Sequence, residues 1–236
     1  MSLIPLLLLA DGRLPSGTHA HSGGLEAAVR AGRVDDADTL QSFLLGRLTT
    51  VGLTAAAFAA ATALELADGV LVTAGGGAIQ SKELALLDAE YDARSPSAAQ
   101  REVSRRLGRQ LLRAAGAGWP SPVLEAAALV HPDGPHQPIA FGAAAAAAGI
   151  DPQGTAAAAA LGSVTGPAGA ATRLLGLDPD AVTAVLAGLV EAVDEIAAAA
   201  MRAARGPAED LPALCAPLLD ISAEQHLTWE VRLFAS

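Results

Sequence analysis

Two histidines one residue apart, His19 and His21, are the first residues whose type and spacing could do chemistry. Nickel and zinc both accept imidazole nitrogen, so the pair is a candidate metal site. Two ligands leave such a site incomplete. The bland alternative is a pair of loop histidines that bond backbone near the start of the next helix. His131 and His136 bracket Pro132-Asp133-Gly134-Pro135, a plain turn, and read as structural. A second constellation is cationic. Arg101, Arg105, Arg109 and Arg113 recur every four residues, which on one helix should give them a shared face. That face is either solvated, partly paired with Glu102, or an anchor for an acidic partner surface, since guanidinium suits bidentate contact.

Other signatures are missing. The one lysine, Lys82, has no glycine directly before it, so no standard P-loop can be built and nucleotide hydrolysis by that route is excluded. Gly75-Gly76-Gly77 lacks the spacing of a dinucleotide fingerprint. Neither H-E-x-x-H nor G-x-S-x-G occurs. A single cysteine, Cys215, excludes a zinc knuckle or ribbon and fits a reducing cytoplasm.

The elements that must position these residues follow from composition. The chain has 236 residues, 52% of them hydrophobic, 17% charged and only 3% aromatic. Alanine fills much of the apolar share and is the best helix former, whereas strands favour β-branched and aromatic residues. One all-α domain over residues 1–236 is expected, an Ala-rich bundle of about eight to ten helices. The formal net charge of −10 disfavours nucleic acid and anionic membranes as partners. The apolar start, Met1 to Ala10, reads as a buried first segment rather than a signal peptide. The charge-free stretch Pro152–Thr172 is long enough to span a membrane but is mostly Ala, Gly and Thr, and is read as soluble.

Capping residues and prolines set the boundaries. Helices are expected over Ile4–Ala10, over Gly23–Ala31 after Ser22, and from Asp35 or Asp36 to about Leu66. Glu26 and Ser22 read as capping residues. Val70–Val72 is the one strand-like fragment. Further helices fit Ser81–Arg94, Ser97–Ala115, Ser121–Val130 and Pro138–Ile150. Another begins at Asp151-Pro152 and is interrupted at Gly166-Pro167. The next runs from Asp180 to about Arg205. Leu211–Leu219 is a short Pro-bounded piece. The last segment, Ser222–Ser236, mixes charged and large apolar residues, as a docking terminus does.

The segment from Leu7 to Glu26, LLLADGRLPSGTHAHSGGLE, resembles the N-terminal signature of the urease accessory protein UreF family, roughly L-x-x-A-D-x-x-L-P-x-G-x-x-x-H-S-x-G-L-E. Three further matches keep the family order. Leu107–Leu112 resembles its G-R-x-L-L helix, His136–Gly142 its H-x-P-[IV]-x-[FY]-G segment, and Arg232–Ser236 its R-L-F-x-S ending. Thr18-His19 departs from the family's small residue and Phe. Arg173–Asp178 lacks the Pro and Gln of an R-L-[VI]-P-L-G-Q stretch.

The resemblance implies a cytoplasmic, all-α, commonly dimeric helper that is not itself an enzyme. It implies partners: a second accessory protein (UreD, also called UreH), the GTPase UreG and the urease apoprotein. Nickel and GTP would belong to the assembled complex, and no cofactor is assigned to this chain. On this reading Arg232, Leu233, Phe234 and Ser236, with Pro15 and His21 of the loop Leu14–Ser22, bind UreD. Phe234 is the expected anchor, because large aromatics dominate interfaces. Arg105, Arg109 and Arg113 would meet the GTPase or another acidic surface. The alternative reading is a nickel carrier that uses His19 and His21.

Overall fold

The computed structural model describes residues 3–12, 14–67 and 82–234. Val70–Val72, Gly75–Gly77, Ser81 and Ser236 lie outside the described residues. Among the described residues there are eleven α-helices, ten of them seven residues or longer, and no strand. They are α1 Ile4–Ala10, α2 Leu25–Arg30, α3 Ala37–Ala67, α4 Lys82–Ala93, α5 Ala98–Gly118 and α6 Pro122–Ala128. After these come α7 Gln137–Ala147, α8 Pro152–Leu175, α9 Pro179–Gly188, α10 Val190–Ala203 and α11 Pro217–His226.

Capping explains most boundaries. Asp36 caps α3 and forms a reciprocal capping box with Thr39. Ser97, Ser121, Asp151 and Asp178 each accept a backbone N–H at the start of α5, α6, α8 and α9. Three of those four helices also carry Pro in the first turn, where its missing donor costs nothing.

Helix α3 is the axis. It packs against α7, α8 and α10. Ala56, Ala57, Phe58, Ala59 and Ala60 are fully buried along it. Alanine lets the helices approach closely. A Cβ built on Gly142 of α7 would sit 2.4 Å from the Ala59 carbonyl oxygen and 2.6 Å from Thr62 Cβ. Gly142→Ala is therefore expected to lower the urea midpoint. Overpacking costs about 1–3 kcal/mol, against a propensity gain of about 1 kcal/mol. Among the described residues α3 is also the one helix long and apolar enough to cross a membrane, and 56% of its apolar window is buried in the core.

Three boundaries differ from expectation. Helix α8 is not interrupted at Gly166-Pro167; it runs unbroken through Pro167. Proline deprives the carbonyl four residues back, that of Ser163, of its helical donor. Arg47 Nε supplies one instead, at 2.9 Å. The segment expected as one helix from Asp180 is two. Leu189 (φ −97°, ψ −2°) ends α9, and its side chain is buried. The break lets α9 pack on the first half of α3 and α10 on the second. Within Leu211–Leu219, helix begins only at Pro217 and then continues to His226.

The first segment also departs from expectation. Helix α1 forms, but only Leu9 is buried, while Leu3, Ile4, Leu7 and Leu8 are exposed. A seven-residue helix laid on α7 and α8 by one edge cannot bury its other faces.

Candidate interaction site

The N-terminal signature and the C-terminal tail meet at Glu26. This carboxylate is buried, and its own N–H donates to Ser22 Oγ at 3.3 Å. Leu233 N–H donates to Glu26 Oε1 at 2.8 Å, and Phe234 N–H to Oε2 at 3.1 Å. His226 Nε2 lies 3.1 Å from the same Oε2. The His226 ring packs on Trp229, and the Arg30 guanidinium sits 4.3 Å over the Trp229 ring. Ser22 accepts from the first turn of α2 but is not its N-cap, which is Gly24, and Glu26 is chiefly the anchor of a tail some 200 residues away. Sequence periodicity carries no sign of that pairing.

The tail's exposed and hidden faces are the reverse of the simplest reading. Phe234 is 5% exposed and lies under Arg173, whose guanidinium is 4.5 Å from the ring. Its ring is engaged within its own chain. Val231 and Leu233 are 76% and 69% exposed. With Leu218 and Ile221 of α11 and Leu227 just past its end they give this end of the molecule its outward apolar side chains. Arg232 is exposed, and so is Pro15 in the N-terminal loop. His21 is half-buried, and the His19 side chain lies outside the described part.

The arginine stripe does not form one face. Steps of four residues advance about 40° beyond a full turn, so four arginines wind around α5. Arg105 points inward and is buried. It donates to Asp88 and Asp92 of α4, each at 2.9 Å, and to the Gly134 carbonyl at 2.8 Å. Its partners are these rather than Glu102, and its burial removes it from any partner-facing surface. Arg101 bonds the Ser95 and Pro96 carbonyls. Arg109 bonds the Asp133 carbonyl from an exposed position, and Arg113 is exposed.

The same cluster takes in His136, which is fully buried. Its N–H donates to Asp88 Oδ1 at 2.8 Å, and its Nε2 lies 3.0 Å from Asp92 Oδ1. Its Nδ1 is buried without a partner. A neutral ring with the proton on Nε2 fits this arrangement, because a proton on Nδ1 would be a buried orphan donor. Burial is the main reason that the His136 pKa is lowered; Asp88 and Asp92 only partly offset it. The Asp92 carboxyl is raised by burial, but bonds from His136 and Arg105 outweigh that and hold it below its ordinary value. The structural role expected for His136 thus has a geometry: it joins α4, α5 and α7.

A stability consequence follows with a definite sign. A histidine whose folded pKa lies below its unfolded value stabilises above the unfolded value and loses that contribution as pH falls through it. The stability difference between the natural chain and His136→Gln should therefore narrow between pH 7 and pH 5, measured by urea unfolding. A constant difference across that range would contradict the neutral buried ring.

A cleft of about 690 Å³ separates the N-terminal loop from α5, α8 and α11. Its floor includes a π-helical turn in α3, Leu48–Gly52, a device that re-aims side chains and is frequent at functional sites. Arg47 precedes the turn and lines the cleft. Besides Ser163 it holds the Gly23 carbonyl, at 2.8 Å. Tyr91 lines the cleft too, with its ring edge-on to Phe58, and burial pushes its pKa up to about 12. Arg47 and Tyr91 carried no recognisable sequence pattern. Among the described residues no three His, Cys, Asp or Glu side chains converge as a metal would require.

Comparison with known proteins places the chain in a family. The UreF family model matches residues 34–190. Three proteins named urease accessory protein UreF match nearly end to end. The one from Mycobacterium sp. (strain JLS) is 43% identical over 235 residues, covering 100% of this chain and 99% of the relative. That from Mycolicibacterium vanbaalenii is 42% identical with the same coverage. That from Mycobacterium tuberculosis (strain H37Rv) is 40% identical over 227 residues, 95% of this chain and 94% of the relative. Both the signature loop and the tail fall inside the first two matches, and the chain belongs to the UreF family of urease accessory proteins, non-enzymatic factors of urease maturation.

Proposed function

We propose that the chain is the adaptor that bridges accessory protein UreD (UreH) and the GTPase UreG on the urease apoprotein. It would work in the cytoplasm as a homodimer and support GTP-dependent incorporation of nickel. The observation that carries this reading is the outward apolar surface of α11 and the tail, latched on Glu26 beside the signature loop. Exposed large apolar side chains gathered at one end of a monomer mark an interaction site. Leu233, Arg232 and Pro15 then face UreD directly, with His21 behind them, and Phe234 acts by holding the tail in place. Ser236 remains part of the proposed contact. The apolar outer face of α1 is surface of the kind a second copy buries. Arg109 and Arg113 remain the exposed cations offered to the GTPase. GTP chemistry belongs to a partner, because the one lysine of this chain is not in a P-loop.

The test is complementation. In cells lacking this protein, the natural chain should restore urease activity and the nickel content of purified urease. A chain ending at Val231 should restore neither, and Arg109→Glu should restore less. Full restoration by the shortened chain would overturn the reading.

A further inference from the structure

The cleft floor holds a cation that no carboxylate of the described residues neutralises. Arg47 donates to two backbone carbonyls, those of Gly23 and Ser163. Both are acceptors without formal charge, so the guanidinium charge stays available to the cleft. Tyr91 adds a hydroxyl to the same space. The acids that line it are Asp11 and Asp220, and burial is the main reason that the Asp220 pKa is raised.

The shape restricts what can enter. Along α8 the cleft extends from Ala158 to Arg173, about 22 Å at 1.5 Å per residue. An extended chain of roughly seven residues covers that length. The wall is smooth: a Cβ added at Gly162 or Gly166 meets nothing within 4 Å.

We infer that this trough receives an acidic segment of a partner protein, with one of its carboxylates on Arg47 and the Tyr91 hydroxyl. The inference rests on the adaptor reading and adds to it the occupant of the cleft.

Gly162 gives a test that does not depend on damaging the fold. Substitution there enters open space and replaces a poor helix former, so the melting temperature should hold or rise. With the tagged full chain in its own cells, Gly162→Glu should reduce the retained partner about tenfold or more, because a like charge would face the incoming acid. Gly162→Lys, of similar bulk, should retain it. The new amine should also form an amide with the partner's carboxylate when a water-soluble carbodiimide is added, the carbodiimide taking up the water as its urea. Lys82 is the only natural lysine, so the cross-linked peptide is readily assigned, and it should contain Asp or Glu.

Equal loss with both variants would mean an occupant that is not acidic, and would overturn the inference. So would unchanged retention with both, or a cross-link confined to this chain. If retention survives both variants but is lost on ending the chain at Val231, the inference falls and the adaptor reading stands. If the natural chain retains no partner, both fall.

Discussion

Glu26→Ala should release the C-terminal tail and abolish productive partner binding together. The carboxylate accepts from Leu233 and Phe234 and lies against His226, all in a buried setting. Bonds to a charged group contribute about 1.5–3 kcal/mol each, and orphaned buried donors add to the loss. A destabilisation of about 3 kcal/mol or more is expected by urea unfolding. Amide exchange locates it: Leu233 and Phe234 should lose protection first, while amides in α3 keep theirs. Phe234→Ala should reproduce the partner defect by removing the ring that Arg173 covers. An unchanged exchange pattern at Leu233 and Phe234 in Glu26→Ala would refute the latch.

Arg105→Ala should be the most destabilising change in the arginine stripe. Its guanidinium joins Asp88 and Asp92 with almost no solvent on the Asp88 side. Removing one partner of a buried pair costs about 3–5 kcal/mol, because the other charge is stranded. Arg113→Ala, from an exposed position on the same helix, should cost within about 0.5 kcal/mol. The contrast separates the two readings of the stripe. Urea unfolding of the pair measures it, and similar small losses at both positions would show that Arg105 is not a structural joint. Where Arg105→Ala is strongly destabilised, as expected, loss of urease maturation follows from the fold and says nothing about a partner surface.

How much was legible beforehand depended on the range of the interaction concerned. Helix starts are decided within one turn, so Asp36, Ser97, Ser121, Asp151 and Asp178 could be read from the sequence. Helix continuity at Pro167 depended on Arg47, 116 residues away along the chain, and no local rule predicts that rescue. The break at Leu189 comes from packing on α3, which propensity does not see. A spacing of four suggested one arginine face, but the helical drift and the acids of α4 drew Arg105 inward. The tail motif was visible as a motif. Its buried Phe234 and exposed Leu233 follow from Glu26 holding the backbone, a contact between opposite ends of the sequence. The π-helical turn that floors the cleft leaves no periodic signature at all.

The most direct test of the central claim is a pull-down with an N-terminal tag, which leaves Arg232–Ser236 native, from cytoplasm shown to contain UreD and UreG. The adaptor account predicts that mass spectrometry finds both partners on the natural chain and neither on a chain ending at Val231. Recovery of neither on the natural chain, or of both on the shortened one, would contradict it.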